Sequence, residues 1–290
     1  MCDDLTEQDL KQAMALDRRT FAAIGAGAAT LALAPGCVAA APGGLATKAR
    51  DVAITTSDGK ADGYFVAPAK GRHPAVLMWP DIGGLRDAYK TMATRLAAAG
   101  YAVLAINQYY RSSPAPVLPS FAAWRTPEGQ AKLKPMIEAL TTARVEADGG
   151  LFVDWLDKQP EVDGRRKVGT CGYCMGGPFT VRTAHARPAR VGAAASFHGA
   201  NLVNDQADSP HKLLAATKAA YLFAIASNDD ARAPTDKTAL RDAAMAAGRP
   251  AEVEVYPAQH GWCTIDAPVF DLAQADRAWG RMLGLYGKYL

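Results

Sequence analysis

Two cysteines stand three positions apart among glycines in Gly169-Thr170-Cys171-Gly172-Tyr173-Cys174-Met175-Gly176-Gly177. A redox pair, half of a metal site, a disulfide remnant and a single nucleophile with a bystander are the chemistries such a spacing allows. The dithiol motif of thioredoxin-like proteins opens a helix near the start of a small domain, whereas this one comes past the middle of the chain. A structural zinc site needs a second pair of ligands at compatible spacing, and only Cys263 and scattered histidines follow. Five cysteines in 290 residues are an odd count and too few for a disulfide-built scaffold.

Read as Gly172-x-Cys174-x-Gly176, the same stretch is the nucleophile-elbow pattern with cysteine in the usual place of serine. The pattern needs a strand before it, a helix after it, and glycines on either side of the nucleophile, because a Cβ there would collide with the neighbouring strand or helix. A helix N-terminus beneath the sulfur favours the thiolate. Such a nucleophile also needs an acid and then a histidine later in the chain. The acid is supplied by Asp229 or Asp230 in Ser227-Asn228-Asp229-Asp230-Ala231-Arg232, with Asp230 narrowly favoured. The histidine is His260 in Pro257-Ala258-Gln259-His260-Gly261-Trp262. Cys174, an aspartate and His260 then act as nucleophile, orienter and base.

Short apolar runs rich in β-branched residues alternate with longer helical patterns from residue 49 onward, which predicts an α/β fold: a mostly parallel sheet of about eight strands with helices on both faces. Strands are expected at 51–55, 63–67, 75–79, 101–106, 167–170, 191–197, 220–226 and 252–256, the first two as an antiparallel hairpin. Helices are expected at 87–99, 141–158, 178–186, 235–247 and 271–289. Each candidate functional residue falls just after a predicted strand, at the carboxyl edge where open α/β sheets gather their functional groups. The stretch 109–134, with Pro114, Pro116, Pro119 and Pro127, is the least regular and is the candidate lid.

The cysteine elbow, the Asp229/Asp230 loop and Pro257-Ala258-Gln259-His260-Gly261 together resemble the dienelactone hydrolase family of α/β-hydrolases, over most of residues 50–290. The resemblance implies the α/β-hydrolase fold, hydrolysis of a small-molecule lactone or ester, and no cofactor or metal. It places Asp81, in Trp79-Pro80-Asp81-Ile82-Gly83-Gly84, where the family has a thiol-activating glutamate one methylene longer; the other reading of Asp81 is a loop aspartate, solvated or paired with Arg86. The Ile82 and Met175 N–H groups fall where an oxyanion hole is formed. Arg111 matches an arginine that holds the substrate carboxylate, a role suited to its two-pronged donor geometry. Apart from the resemblance, His198 at the end of the strand at 191–197 and Trp262 beside His260 either line the pocket or pack in the core.

A formal charge of +3, with no basic stripe, gives no reason to expect nucleic acid as a partner. At the N-terminus, Arg18-Arg19-Thr20-Phe21 precedes an uncharged run over 21–34 that is too short to cross a bilayer, which needs about 20 residues. It resembles a twin-arginine export signal. Residues 1–40 are therefore expected to be a signal handled transiently by the export machinery, with Cys37 as a possible lipid anchor. Residues 48–290 would be the catalytic domain of a periplasmic or secreted monomer. Two other functions fit the same residues: a thiol–disulfide oxidoreductase using Cys171 and Cys174, and an α/β-hydrolase-fold binding protein without turnover.

Overall fold

The nine strands of one sheet run in the order β1-β2-β3-β5-β4-β6-β7-β8-β9 in the computed structural model, which describes residues 37–38 and 44–290. The two-residue β1 (Cys37–Val38), β2 (Thr47–Thr56) and β3 (Gly59–Pro68) pair antiparallel, and β3 also lies antiparallel to β5 (Ala102–Ile106). From β5 the sheet is parallel through β4 (Ala75–Trp79), β6 (Val168–Tyr173), β7 (Val191–Phe197), β8 (Ala220–Ala226) and the edge strand β9 (Ala251–Tyr256). The eight strands read from the sequence are present, and β1 adds a ninth. The export reading concerns residues 1–40, of which only 37–38 lie among those described. No helix among the described residues is long and apolar enough to cross a membrane.

Helices cover both faces, as the two-sided apolar strands require. On one face α1 (Asp87–Ala98) and α8 (Leu272–Tyr289) bury Tyr89, Met92, Leu96, Met282 and Tyr286 against Val76, Met78 and Val103. On the other, α3 (Thr142–Leu156), α4 (Gly176–Ala186) and α7 (Asp236–Ala246) bury Phe152, Leu156, Phe179, Val181 and Leu240 against Leu77, Leu104 and Phe223. Successive side chains of a strand point to opposite faces, so β4 feeds both cores. Capping follows the sequence: the Thr141 hydroxyl accepts from Arg144 N–H, and Asp271 accepts from Gln274 N–H.

The proline-rich stretch differs from expectation. It closes through a 3₁₀ turn (Phe121–Arg125) into α2 (Pro127–Glu138), which has Pro127 in its first turn and Thr126 accepting from Gly129 N–H. Proline density hid a helix because one of those prolines starts it. Tyr109, Val117, Leu118, Leu133 and Met136 form a separate apolar cluster, against which Ile82 and Met175 pack. The lid therefore lies over the two residues assigned to the oxyanion hole.

Candidate active site

Cys174 follows β6 directly and precedes α4, with φ of 52°. That left-handed conformation costs a non-glycine residue on the order of 1–3 kcal/mol, so its surroundings must hold it. Its N–H donates to Phe197 O at 3.0 Å and to Nδ1 of His198 at 3.1 Å, while its carbonyl accepts from Gly177 and Ala200 N–H. A Cβ on Gly172 would lie 2.0 Å from Gly176 O, and one on Gly176 would lie 2.5 Å from Trp79 O and 2.6 Å from Pro80 O. Both glycines are required by space, which is the reason the elbow pattern has them.

His260 leaves the sheet in the loop after β9. Its Nδ1 donates to Oδ2 of Asp229 at 2.7 Å, and its backbone N–H donates to Oδ1 of Asn228 at 2.8 Å. Asp229 and Asp230 lie on the short helix α6 (Ser227–Arg232), formed where the sequence suggested a plain loop. The two loops are joined where Ser227 N–H donates to Ala258 O. Asp230 is engaged elsewhere, its Oδ2 accepting from Lys237 Nζ at 2.7 Å. The narrow preference for Asp230 is therefore corrected to Asp229: adjacent helical side chains diverge by about 100°, so only one can face the imidazole.

His198, with φ of 39°, is 1% exposed. Its ring meets His260 edge-on at 4.8 Å between centroids and Trp262 at 5.2 Å. Burial, reinforced by His260, pushes its pKa well below the usual histidine value. The ring is thus neutral, and because Nδ1 accepts the Cys174 N–H the proton resides on Nε2. His198 is a backstop between the Cys174 backbone and the His260 ring rather than part of an open pocket wall. Trp262, fully buried and stacked on Tyr256, likewise packs behind the cluster, the core alternative rather than a substrate contact.

Asp81 is 2% exposed and sits in a bidentate ion pair, with Oδ1 2.7 Å from Arg86 Nη1 and Oδ2 3.0 Å from Nη2. Its Oδ1 also accepts from Gly83 N–H. These bonds make Asp81 a loop-holding residue paired with Arg86 rather than a thiol-activating or substrate-binding group, a role for which the shorter side chain suffices. Arg111 is also committed: Nη1 and Nη2 meet Asp148 at 2.6 and 2.8 Å, and Nε meets Asp58 at 2.6 Å. Two carboxylates already neutralise it, so the role of holding a substrate carboxylate is corrected to one of joining β5 to α3 and the β2–β3 turn.

Cys171 points into the core beneath α8, is 0% exposed, and carries a free thiol pushed up to about 12 by burial. Cys263 is also a buried free thiol, raised well above the usual cysteine value by burial and then by Asp271. Neither has the depressed pKa of a redox-active thiol. Among the described residues no group of three or more His, Cys, Asp or Glu is arranged to hold a metal ion.

The hydrogen bonds of the turn after β4 use the Gly83 and Gly84 N–H groups and not that of Ile82. Met175 is the N-cap of α4, so its N–H precedes the intrahelical ladder. Three residues escaped the sequence reading in any such role: Gln108 and Tyr109, which bond to this turn, and Asn228, which holds the His260 N–H. Each follows a strand of the parallel sheet, the position that could have flagged them.

The family model for the dienelactone hydrolase family matches residues 61–290. A protein provisionally named carboxymethylenebutenolidase from Methylorubrum extorquens is 27% identical over 83% of this chain and 81% of its own length. A protein of the same name from Salmonella typhi is 28% identical over 78% of this chain and 82% of its own. Among solved structures, a provisionally named dienelactone hydrolase from Klebsiella pneumoniae superposes with a TM-score of 0.71 at 22% identity, covering 84% of this chain and 99% of that one. A dienelactone hydrolase-like promiscuous phosphotriesterase from metagenomic libraries gives 0.68 at 24% identity, covering 84% of this chain and 98% of that one. At such identities the structural likeness shows the α/β-hydrolase fold.

Proposed function

The chain belongs to the dienelactone hydrolase family, and from that premise we propose that this hydrolase cleaves a lactone or an activated ester through a thioester formed on Cys174. Cys174 gives its proton to His260 Nε2 as the sulfur attacks the carbonyl carbon, and the developing oxyanion is received by the Ile82 and Met175 N–H groups. Collapse of the tetrahedral intermediate breaks the carbon–oxygen bond, and the leaving alkoxide takes the proton from the imidazolium. Water, deprotonated by the same ring, then hydrolyses the thioester and restores the thiol. Asp229 holds the ring in the tautomer with Nδ1–H and stabilises its cation.

The observation that carries this reading is the convergence of strained Cys174 and the His260–Asp229 pair on the carboxyl edge of the sheet. Nε2 of His260, the nitrogen not engaged by Asp229, makes no hydrogen bond among the described residues. The ring packs on His198, which itself accepts the Cys174 N–H. Catalytic hydrogen bonds of this kind commonly tighten only when substrate binds.

A thiolate leaves a tetrahedral intermediate more readily than an alkyl alkoxide does, so forward collapse favours enol lactones, aryl esters and thioesters over plain alkyl esters. With Arg111 neutralised and an apolar lid packed on Ile82 and Met175, the reading favours an uncharged acyl group. The Arg18-Arg19 motif and the apolar run behind it support export of the chain to act outside the cytoplasm.

The test is burst release of nitrophenol from a short acyl ester. The reading requires a burst of about one equivalent per enzyme that is lost in Cys174→Ala. Turnover that survives this substitution, or no turnover with any ester, lactone or thioester, would exclude it.

A further inference from the structure

We infer that Gln108 is a positioning residue for the oxyanion hole: it sets the direction of the Ile82 N–H by holding the other end of the same peptide group. The inference rests on the assignment of that N–H to the oxyanion, and it identifies what aims it.

A trans peptide is planar, so its C=O and N–H point in opposite directions. In the Asp81–Ile82 peptide the carbonyl of Asp81 accepts from Gln108 Nε2 at 2.7 Å and from Gly84 N–H at 3.0 Å. Pulling the oxygen toward Gln108 turns the Ile82 N–H away from the turn. The flanking peptides are held as well: Asp81 N–H donates to the Tyr89 hydroxyl at 3.0 Å, and the Tyr109 hydroxyl donates to Ile82 O at 2.9 Å. The Tyr109 oxygen also lies 3.9 Å from Met175 Sδ, so one side chain touches both residues of the proposed hole.

Sheet register supplies the reach. β4 and β5 are parallel neighbours with Met78 opposite Ala105, so the turn at Asp81 and the loop at Gln108 leave the sheet side by side. Gln108 is 2% exposed. Its Nε2 faces two carbonyls, Asp81 O and, at 3.4 Å, Pro80 O. Both are acceptors only, which fixes the amide with nitrogen toward them. Its Oε1 has no hydrogen-bond partner among the described residues. An amide buried with one end unsatisfied is unfavourable, while an apolar side chain of the same size would fill the space without that cost; the donor is what the position supplies. On the opposite side, the elbow packs directly on this strand end, where a Cβ on Gly176 would meet the Trp79 and Pro80 carbonyls.

The test is Gln108→Met, of similar size and without a donor, in the full chain labelled with nitrogen-15. The expected result is a shift or broadening of the Ile82 amide resonance, with kcat lowered about 10- to 100-fold and KM changed less than about 2-fold. Gln108→Glu provides the second variant: its side chain donates only when protonated, so its kcat relative to Gln108→Met should rise as the pH falls. A residue that merely supported the fold would not produce this pH-dependent ratio or the split between kcat and KM. An Ile82 amide unchanged in Gln108→Met, or kcat within about 2-fold of wild type in both variants, overturns the inference. Absence of Cys174-dependent turnover in the wild type would sink the hydrolytic reading alone, and the Ile82 resonance would still decide the role of Gln108.

Discussion

Nδ1 of His260 lies 2.7 Å from Oδ2 of Asp229, while the neighbouring Asp230 is held at 2.7 Å by Lys237. Two adjacent carboxylates of the same type thus have different partners, and substitution separates them. Asp229→Asn should lower kcat by about 10²- to 10⁴-fold through loss of the correct tautomer. Asp230→Asn should leave kcat within about 3-fold of wild type. Steady-state kinetics with an aryl ester reads both, and equal losses in the two variants would refute the assignment.

His198 makes stability pH-dependent. Its folded pKa lies well below the usual value because it is buried beside His260, so the folded state binds fewer protons than the unfolded chain near pH 6. Stability from this residue is therefore complete above about pH 6.5, the unfolded value, and declines as the pH falls below it. His198→Asn retains an acceptor for the Cys174 N–H and tolerates the left-handed backbone, yet it does not titrate. The melting temperature of wild type should drop more steeply than that of the variant between pH 7 and 5; parallel curves would contradict a buried neutral imidazole.

Cys171→Ala tests whether the second cysteine takes part in chemistry. The thiol is buried beneath α8 and protonated, so the variant should retain at least half of wild-type kcat and lose about 1 kcal/mol of stability for the small void left behind. Loss of activity with stability intact would revive the dithiol alternative.

Gly176→Ala should be far more damaging. The added methyl carbon would lie 2.5 Å from Trp79 O and 2.6 Å from Pro80 O, both backbone atoms that cannot turn aside. A loss on the order of 3 kcal/mol is expected, read as a lowered denaturant midpoint, and an unchanged midpoint would mean that the elbow is looser than described.

Arg111 offers a test of substrate charge. Because Asp148 and Asp58 already hold it, Arg111→Met should reduce stability by about 2 kcal/mol. The ratio of kcat/KM between a carboxylate-bearing lactone and a neutral aryl ester should not change. A selective loss on the carboxylate-bearing substrate would return Arg111 to the binding site.

The sheet was legible in the sequence because its short, unbroken apolar runs alternate regularly with helical patterns and their order fixes which residues reach the carboxyl edge. The elbow was legible because its pattern of glycines is itself a local motif, with Gly172 demanded by the carbonyl of Gly176 and Gly176 by the end of the neighbouring strand β4. Choosing between Asp229 and Asp230 was not possible, since it depends on which way a six-residue helix is turned against α7. Pairing of Asp81 with Arg86, five positions on, was one of the two readings the sequence left open, whereas the pairing of Arg111 with Asp148, 37 positions away, is written in no local motif. Gln108 was invisible because its contacts are to backbone carbonyls of the turn after a neighbouring strand, which no side-chain pattern records.

Arg86 grips Asp81 on the loop beside the acceptor and, through Nε and Nη2, Asp266 on the segment that follows His260. One guanidinium, 10% exposed, thereby ties the turn after β4 to the segment that follows His260. The Asp81 half of the knot is buried while Asp266 reaches solvent, so added salt should loosen the second pair well before the first, and the two loops stay coupled through a single side chain.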